Sequence, residues 1–321
     1  MRSRLAMILA VVLALVAIAG ASYRLKAATP PPPSPPAHAS LAPSVASYLG
    51  AFEPGAPPGY GPIADFAQAA GRQPNLIGYY SGWAEPFDTS FAGMLRTHGI
   101  IPFVQIDPTD AVISGIADGT YDSYLRSYAD SVRTFRTNVV IGFGHEMNAP
   151  WYLWGYKHVP PATFVAAWRH IVTLFRDQGA GNVTWLWTVQ ADQAGTGPVE
   201  LWWPGSHYVD WVGIDGYYTQ PSDNFNSVFA KTIDQIRNFT DNKKPVLLSE
   251  TAVGPDVNAV VKIHDLFTGM TGYKTLGLVW FDVAQHGSLI HQDWRLEDSQ
   301  LAKIAFALAA RNDLAVTLPS G

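Results

Sequence analysis

The stretch Val139-Val-Ile-Gly-Phe-Gly-His-Glu-Met-Asn-Ala-Pro-Trp-Tyr-Leu-Trp-Gly155 determines how the rest of the chain is interpreted. Its first residues are apolar and mostly β-branched, which is typical of a strand that is buried on both faces. The charged pair His145-Glu146 follows where that strand ends, and aromatic residues, proline and glycine come next. The stretch therefore predicts a buried strand that delivers an acid to an aromatic-rich loop.

Similar apolar segments recur along the chain and alternate with helix-like segments. The strand-like segments begin near residues 46, 75, 100, 139, 183, 209, 245 and 276. The helix-like segments are 61–72, 89–98, 121–136, 162–178, 227–240, 257–270 and 297–310, with only 199–203 as a weak candidate after the fifth strand. Eight buried strands in this rhythm predict an α/β fold, a (β/α)8 TIM barrel. A doubly wound open sheet is the alternative, but no glycine-rich phosphate turn follows the first strand.

The N-terminal residues are predicted to lie outside the barrel. Arg2 and Arg4 precede an apolar run, so residues 1–22 have the pattern of a signal peptide or of an uncleaved signal anchor. Residues 23–40 are proline-rich and predict a stiff linker. We expect a single catalytic domain over residues 41–321, either secreted or anchored at the outer face of the cytoplasmic membrane, with membrane contact only through residues 5–22.

The composition excludes several classes of protein. The 321 residues contain no cysteine, which rules out disulfides, thiolate metal sites and cysteine nucleophiles. A formal net charge of -5 provides no basic surface for nucleic acid. Charged residues make up only 15% of the chain, whereas it has 11 Trp and 14 Tyr. We therefore expect no nucleic-acid partner, and we expect the protein to act as a monomer.

Two glutamates come at the carboxyl ends of predicted strands. Glu146 ends the fourth strand, and Glu250 ends the seventh in Pro245-Val-Leu-Leu-Ser-Glu250. The chemistry of (β/α)8 barrels takes place at this end of the strands, so both acids are expected at one rim. Cleavage of a glycosidic bond needs two opposed carboxyl groups, one to protonate the leaving oxygen and one to attack or to activate water. Each glutamate alone could be a solvated rim residue, but together they favour a glycosidase.

A zinc protease is the metal-dependent alternative, because His145-Glu146 begins an HExxH pattern. The residue four positions after His145 is Ala149, so the second zinc ligand is missing. The segment also leaves a strand instead of lying on a helix. We therefore expect no metal and no cofactor.

Together these motifs resemble glycoside hydrolase family 26, the β-mannanase-like glycosidases. The resemblance rests on His145-Glu146 with its Trp-rich loop, Trp203-Pro204-Gly205, Val209-Asp-Trp-Val-Gly-Ile-Asp215-Gly-Tyr217 and the Glu250 strand. It implies a (β/α)8 barrel and an endo-type hydrolysis that retains the anomeric configuration. The implied substrate is a neutral β-linked polysaccharide, with β-mannan as the first expectation and β-glucan as the second.

The resemblance also implies roles for single residues. Glu146 corresponds to the general acid/base and Glu250 to the nucleophile. His145 is expected near the reacting sugar, Tyr217 against the nucleophile, and Trp280 at the floor of the reacting subsite. The other residues expected to bind substrate are Asn148, Trp151, Trp154 and Asp215.

Three departures from the family pattern surround the expected substrate. Gly142 stands where many members carry an arginine, Phe281-Asp282 stands where a polar, basic pair is usual, and Ala149-Pro150 replaces a glycine. These departures bear on which sugar is accepted more than on hydrolysis. The alternative function is a polysaccharide-binding or export-associated barrel with little turnover, and the intact pair Glu146 and Glu250 argues against it.

Overall fold

The computed structural model of the protein describes residues 40–255, 257–286 and 291–316. Within these ranges, eight parallel strands close into a barrel in chain order, which confirms the predicted (β/α)8 TIM barrel. The strands are Tyr48–Phe52 (β1), Leu76–Gly82 (β2), Ile101–Asp107 (β3), Val139–Phe143 (β4), Val183–Gln190 (β5), Trp211–Asp215 (β6), Val246–Thr251 (β7) and Gly277–Phe281 (β8).

Helices connect the strands. The α-helices are Gly61–Ala70 (α1), Thr89–Thr97 (α2), Ile113–Ala117 (α3), Asp122–Phe135 (α4), Pro161–Asp177 (α5), Lys231–Phe239 (α6), Ala259–Gly272 (α7) and Gln300–Asp313 (α8). The connection after β5 contains the short 3-10 helices Val199–Trp202 and Ser206–Tyr208, in agreement with the weak helical signal there. The short α3 and a hairpin of Ala284–His286 (β9) with His291–Asp293 (β10) were not predicted.

The predicted signal or anchor segment, residues 1–22, and nearly all of the linker at 23–40 lie outside the described residues. The domain limits therefore stay predictions. In the part of the chain that the structure describes, no helix is long and apolar enough to cross a membrane.

Large aromatic side chains fill the layer between barrel and helices. Every residue of β4 and β5 is buried. Trp185 of β5 packs edge-on against Trp168 and Phe175 of α5, at ring-centroid distances of 6.2 and 5.2 Å. Close packing of this kind leaves no open face on the strand, which explains its continuous apolar sequence.

The glycine on β4 is required by a neighbour inside the barrel. Gly142 is paired with Gln105 of β3, and a β-carbon at Gly142 would collide with the Gln105 carboxamide. Gln105 is fully buried and donates to Thr188 Oγ1 of β5 at 3.2 Å. Gln105 therefore occupies the space beside Gly142, the position at which the resemblance led us to expect an arginine.

Hydrogen bonds tie the ends of β4 to β7 together at one rim. Glu146 N donates to Thr188 O at 3.0 Å, and Gly216 N donates to Glu250 O at 2.9 Å. Asp215 is the register partner of Glu250, after an irregularity in the pairing of β6 with β7. The last residues of these strands therefore share the mouth of the barrel.

Candidate active site

A tight turn after β4 brings Glu146 to the barrel mouth. Gly144 and Glu146 both have φ 53°, a left-handed conformation that is uncommon for a residue other than glycine. The Ala149 amide donates to Glu146 O at 2.8 Å and helps to hold this turn. The turn directs the Glu146 side chain inward, so that carboxylate oxygens of Glu146, Asp215 and Glu250 lie within 4.8 Å of one another.

Two tyrosine hydroxyls hold Glu250, one at each oxygen. Tyr80 at the end of β2 donates to Oε1 at 2.5 Å, and Tyr217 donates to Oε2 at 2.7 Å. Burial raises the pKa of Glu250, whereas His145 and the two hydroxyl donors lower it. These donors favour the carboxylate form, which is the form that can attack. Tyr217 lies where the sequence predicted it, but Tyr80 was not among the predicted residues.

Glu146 is buried and accepts a hydrogen bond from Trp151. The indole Nε1 of Trp151 donates to Glu146 Oε2 at 2.6 Å. Burial and the charge of Glu250 raise the pKa of Glu146, whereas His145 and the Trp151 hydrogen bond lower it, and the net result is a pKa of about 7. A carboxyl group with a pKa near neutrality can hold a proton and release it at neutral pH, as general acid catalysis requires.

His145 is a buried cation beside the two glutamates. Its Nδ1 lies 2.9 Å from Asp107 Oδ1, and its Nε2 lies 3.1 Å from the Tyr152 hydroxyl. Burial alone would lower the pKa of His145, but the hydrogen bond and the charge of Asp107, with help from Glu250 and Glu146, raise it to about 9. At neutral pH the imidazolium donates from both nitrogens and offsets the charge of Glu250.

Asp215 is a third carboxyl group below the pair. It is fully buried, and Ser249 Oγ donates to its Oδ1 at 2.5 Å. Burial, together with the charges of Glu250 and Glu146, raises the pKa of Asp215 well above its usual range. This shift favours the protonated form of Asp215. Asp215 supports Glu250 from beneath and does not present a face to solvent, unlike the substrate contact predicted for it.

The spacing of these three carboxyl groups is also one at which a cation could bind. Hydrogen bonds from Tyr80 and Tyr217 already engage both oxygens of Glu250.

Two predicted substrate-binding residues are instead used inside the protein. Asn148 is fully buried, and its amide group donates to Gln190 O at 2.9 Å and accepts from Gln190 N at 2.8 Å. Trp154 is buried as well, donates to His145 O at 2.9 Å and stacks on Tyr152 at 4.3 Å. Both residues brace the loop that carries Glu146, because their polar groups are engaged and no side-chain surface faces the mouth.

Trp280 does not form the floor that was predicted for it. It is 1% exposed, donates to Trp294 O at 2.9 Å and packs edge-on against Phe306 of α8 at 5.1 Å. It therefore lies between the barrel and the helices. The adjacent Phe281 faces the mouth and packs near Tyr217, with a ring-centroid distance of 5.8 Å.

Open aromatic surface at the mouth comes from Trp151 and Tyr80. Trp151 is 48% exposed and Tyr80 is 41% exposed. Of the other tryptophans in loops after strands, Trp83 and Trp202 are buried and Trp203 packs on Trp187 at 5.1 Å. Most of the tryptophans in these loops therefore pack inside the protein and do not line the barrel mouth.

A (β/α)8 barrel with two facing carboxyl groups and open aromatic rings at its mouth is the arrangement of the barrel glycosidases. Residues 108–285, more than half of the chain, match the profile of glycosyl hydrolase family 26, and the chain belongs to this family.

Curated relatives agree with this assignment. Endoglucanase H of Acetivibrio thermocellus is 28% identical over 269 residues, covering 78% of this chain and 29% of that protein. Beta-1,3-xylanase TXYA of Vibrio sp is 26% identical over 175 residues, covering 50% of this chain and 36% of that protein. The chain thus spans about a third of the length of these relatives.

Solved structures share the fold. The catalytic domain of an endo-beta-1,4-mannanase from Bacillus sp. JAMB-750 superposes with a TM-score of 0.65 at 15% identity, over 85% of this chain and 87% of that one. A Cellulomonas fimi endo-beta-1,4-mannanase double mutant gives 0.65 at 17% identity, over 83% of this chain and 71% of that one. At these identities the likeness concerns the fold alone.

Proposed function

We propose that the protein is a retaining endo-glycoside hydrolase that cleaves a neutral β-linked polysaccharide by double displacement. The observation that carries this proposal is the close approach of the two acids, because one carboxyl oxygen of Glu146 lies within 4.8 Å of one carboxyl oxygen of Glu250. Retaining enzymes have their carboxyl groups about 5–5.5 Å apart, whereas inverting enzymes need about 6.5 Å or more to admit a water.

The first step forms a covalent glycosyl-enzyme. Glu250 attacks the anomeric carbon, and Glu146 donates its proton to the leaving glycosidic oxygen. The ionised Glu250 favours protonated Glu146 through charge repulsion, and the Tyr80 and Tyr217 hydroxyls keep Glu250 ionised and oriented.

The second step hydrolyses this intermediate. Esterified Glu250 carries no charge, so the repulsion that kept Glu146 protonated is gone and Glu146 ionises more readily. It then takes a proton from water, and the water oxygen replaces Glu250 on the anomeric carbon. The two inversions give net retention.

The substrate class follows from the groups around the acids. Trp151 presents an exposed ring beside Glu146, and the buried ring of Phe281 packs near Tyr217, so neither position places a charged side chain beside the acids. β-Mannan and β-glucan are the proposed substrates, in that order. The names of the relatives, an endoglucanase, β-1,3-xylanases and a mannan endo-1,4-beta-mannosidase, define the set of polymers to be tested.

We also propose that the protein acts outside the cytoplasm, either secreted or anchored through residues 5–22, and that it is a monomer. The sequence pattern of residues 1–22 supports export. An intact mass of the exported protein distinguishes a cleaved signal peptide from a retained anchor.

Release of reducing ends from mannan, mixed-linkage glucan and β-1,3-xylan tests the activity. We expect the wild-type protein to hydrolyse at least one polymer and both Glu146→Ala and Glu250→Ala to lose the activity. With an aryl β-glycoside, whose phenolate leaves without a proton from Glu146, azide should restore turnover to Glu146→Ala and give a β-glycosyl azide. With Glu250→Ala, azide should replace the nucleophile and give an α-glycosyl azide. Release that is unchanged in both variants, or absent from all polymers, contradicts the proposal.

A further inference from the structure

We propose that Tyr80 is the positioning residue for Glu250 Oε1 and, with the open face of its ring, the platform on which the reacting sugar lies. This inference rests on the proposed function and deepens it. It assigns to Tyr80 of β2 the role at the reacting subsite that the family resemblance implied for Trp280 of β8.

The hydroxyl group of Tyr80 holds one oxygen of Glu250. Tyr80 donates to Oε1 at 2.5 Å while Tyr217 donates to Oε2, so each oxygen of Glu250 is fixed by its own donor. Burial of the hydroxyl end of Tyr80 and the charge of Glu250 raise the pKa of this phenol well above its usual range, so it stays a neutral donor, although the residue as a whole is partly exposed. With both oxygens held, the carboxylate cannot rotate freely.

The aromatic ring of Tyr80 is only partly covered by its neighbours. One face of Tyr80 stacks on Phe52 of β1, with a centroid distance of 4.9 Å and an angle of 21°. His145 lies near its edge at 5.5 Å. Even so, 41% of the residue remains exposed, while its hydroxyl group reaches Glu250 Oε1.

The exposed ring of Tyr80 is the aromatic surface that lies beside the nucleophile. Trp280 is covered on all sides, and the open ring of Trp151 lies beside Glu146 on the opposite, acid side of the pair. Sugar rings have apolar C–H faces that stack on flat aromatic area with a polar edge. A sugar on Tyr80 would lie with its anomeric carbon next to Glu250 because the same residue binds the nucleophile.

Three variants separate the two roles. Tyr80→Phe removes the hydroxyl and keeps the ring, whereas Tyr80→Ala removes both. Tyr79→Phe is the matched control, since it removes the same group from the adjacent residue. Tyr79 is buried on the helix side of β2, packs on Phe91 of α2 at 5.2 Å, and its hydroxyl has no hydrogen-bond partner among the described residues.

For Tyr80→Phe we expect kcat/KM at neutral pH to fall about 10- to 100-fold, the range for a lost hydrogen bond to a charged group, with KM within about two-fold of wild type. The acidic limb of the pH profile should move to higher pH, because Glu250 without this donor ionises less readily. For Tyr80→Ala we expect an additional rise in KM of about five- to ten-fold from the lost stacking. Tyr79→Phe should match the wild type.

An acidic limb that does not move in Tyr80→Phe overturns the positioning role. A KM equal in Tyr80→Phe and Tyr80→Ala overturns the platform. Oligosaccharide binding tests the platform independently of turnover. The Kd values of β-1,4-mannohexaose and of a mixed-linkage glucan hexasaccharide are measured for Glu146→Gln and for the double variant that also carries Tyr80→Ala. If the Kd of each oligosaccharide is the same for the two proteins, Tyr80 is not a binding platform. Absence of turnover in the wild type contradicts the proposed function and the positioning role together, whereas wild-type turnover with unaffected Tyr80 variants contradicts this inference alone.

Discussion

The pair of His145 with Asp107 makes a pH-dependent contribution to stability. A pKa raised from 6.5 to about 9 corresponds to about 3 kcal/mol of stabilisation of the folded, protonated form. Because the folded pKa is raised, this contribution is fully present below pH 6.5 and is lost as the pH rises through about 9. Glu250 and Glu146 supply part of the rise, so we assign roughly 2–3 kcal/mol to Asp107.

Asp107→Asn removes the charge and keeps the shape of the side chain. We expect the free energy of unfolding to fall by about 2–3 kcal/mol at pH 6 and by less than about 1 kcal/mol at pH 9.5, where His145 is largely neutral in either protein. Urea unfolding at the two pH values, with a common slope of free energy against urea, measures both differences.

Asp122→Asn is the control, because Asp122 also binds a histidine, His170, at 2.6 Å. Both of those side chains are nearly 30% exposed, so the pair should contribute at most about 1 kcal/mol. A loss in Asp107→Asn that is the same at pH 6 and pH 9.5, or no larger than that of the control, would refute the account of His145 as a buried cation.

Three further predictions concern the mouth and its support. Trp151→Phe removes the hydrogen-bond donor to Glu146, so the pKa of Glu146 should rise above about 7. The alkaline limb of the pH profile of kcat/KM should then move to higher pH. The control is Leu153→Ala in the same loop, where the side chain is 72% exposed, and it should leave this limb in place. Trp280→Phe should lower the free energy of unfolding by about 2 kcal/mol in urea titrations, because a buried carbonyl loses its donor, with KM unchanged; a raised KM would return Trp280 to the sugar site. Gly142→Ala should cost about 1–3 kcal/mol by overpacking against Gln105, measured in the same way, and a cost below about 0.5 kcal/mol would contradict that contact.

The barrel and its acid pair could be predicted because each left a local signal. Strands covered on both faces keep continuous apolar runs, so β4 and β5 were recognisable without any knowledge of their partners. Glu146 and Glu250 stood out as charges at the ends of such runs. A barrel brings all strand ends to one rim, so the fold itself implied that these acids meet.

The direction of single side chains at the strand ends could not be predicted. Neighbouring residues of a strand point to opposite faces, so Tyr79 and Tyr80, or Trp280 and Phe281, exchange roles if the strand is shifted by one residue. In β2 the second tyrosine faces the mouth, and in β8 the tryptophan faces the helices. A continuous apolar run carries no alternation that could settle either case.

The roles of polar residues in the loop after β4 could not be predicted for a different reason. Asn148 is bound at both amide atoms by the backbone of Gln190, which follows it by 42 residues. Contacts of this range depend on the closed barrel and on the left-handed turn at Glu146. A polar residue that braces a site and one that binds a sugar therefore look alike in sequence.

The stereochemistry of the first product tests the central claim most directly. Proton NMR of a fresh digest of the preferred oligosaccharide records which anomer appears before mutarotation. Because one carboxyl oxygen of Glu146 lies within 4.8 Å of one carboxyl oxygen of Glu250, we predict that the β-anomer appears first. If the α-anomer appears first, the reaction inverts the anomeric centre and Glu250 is not the nucleophile.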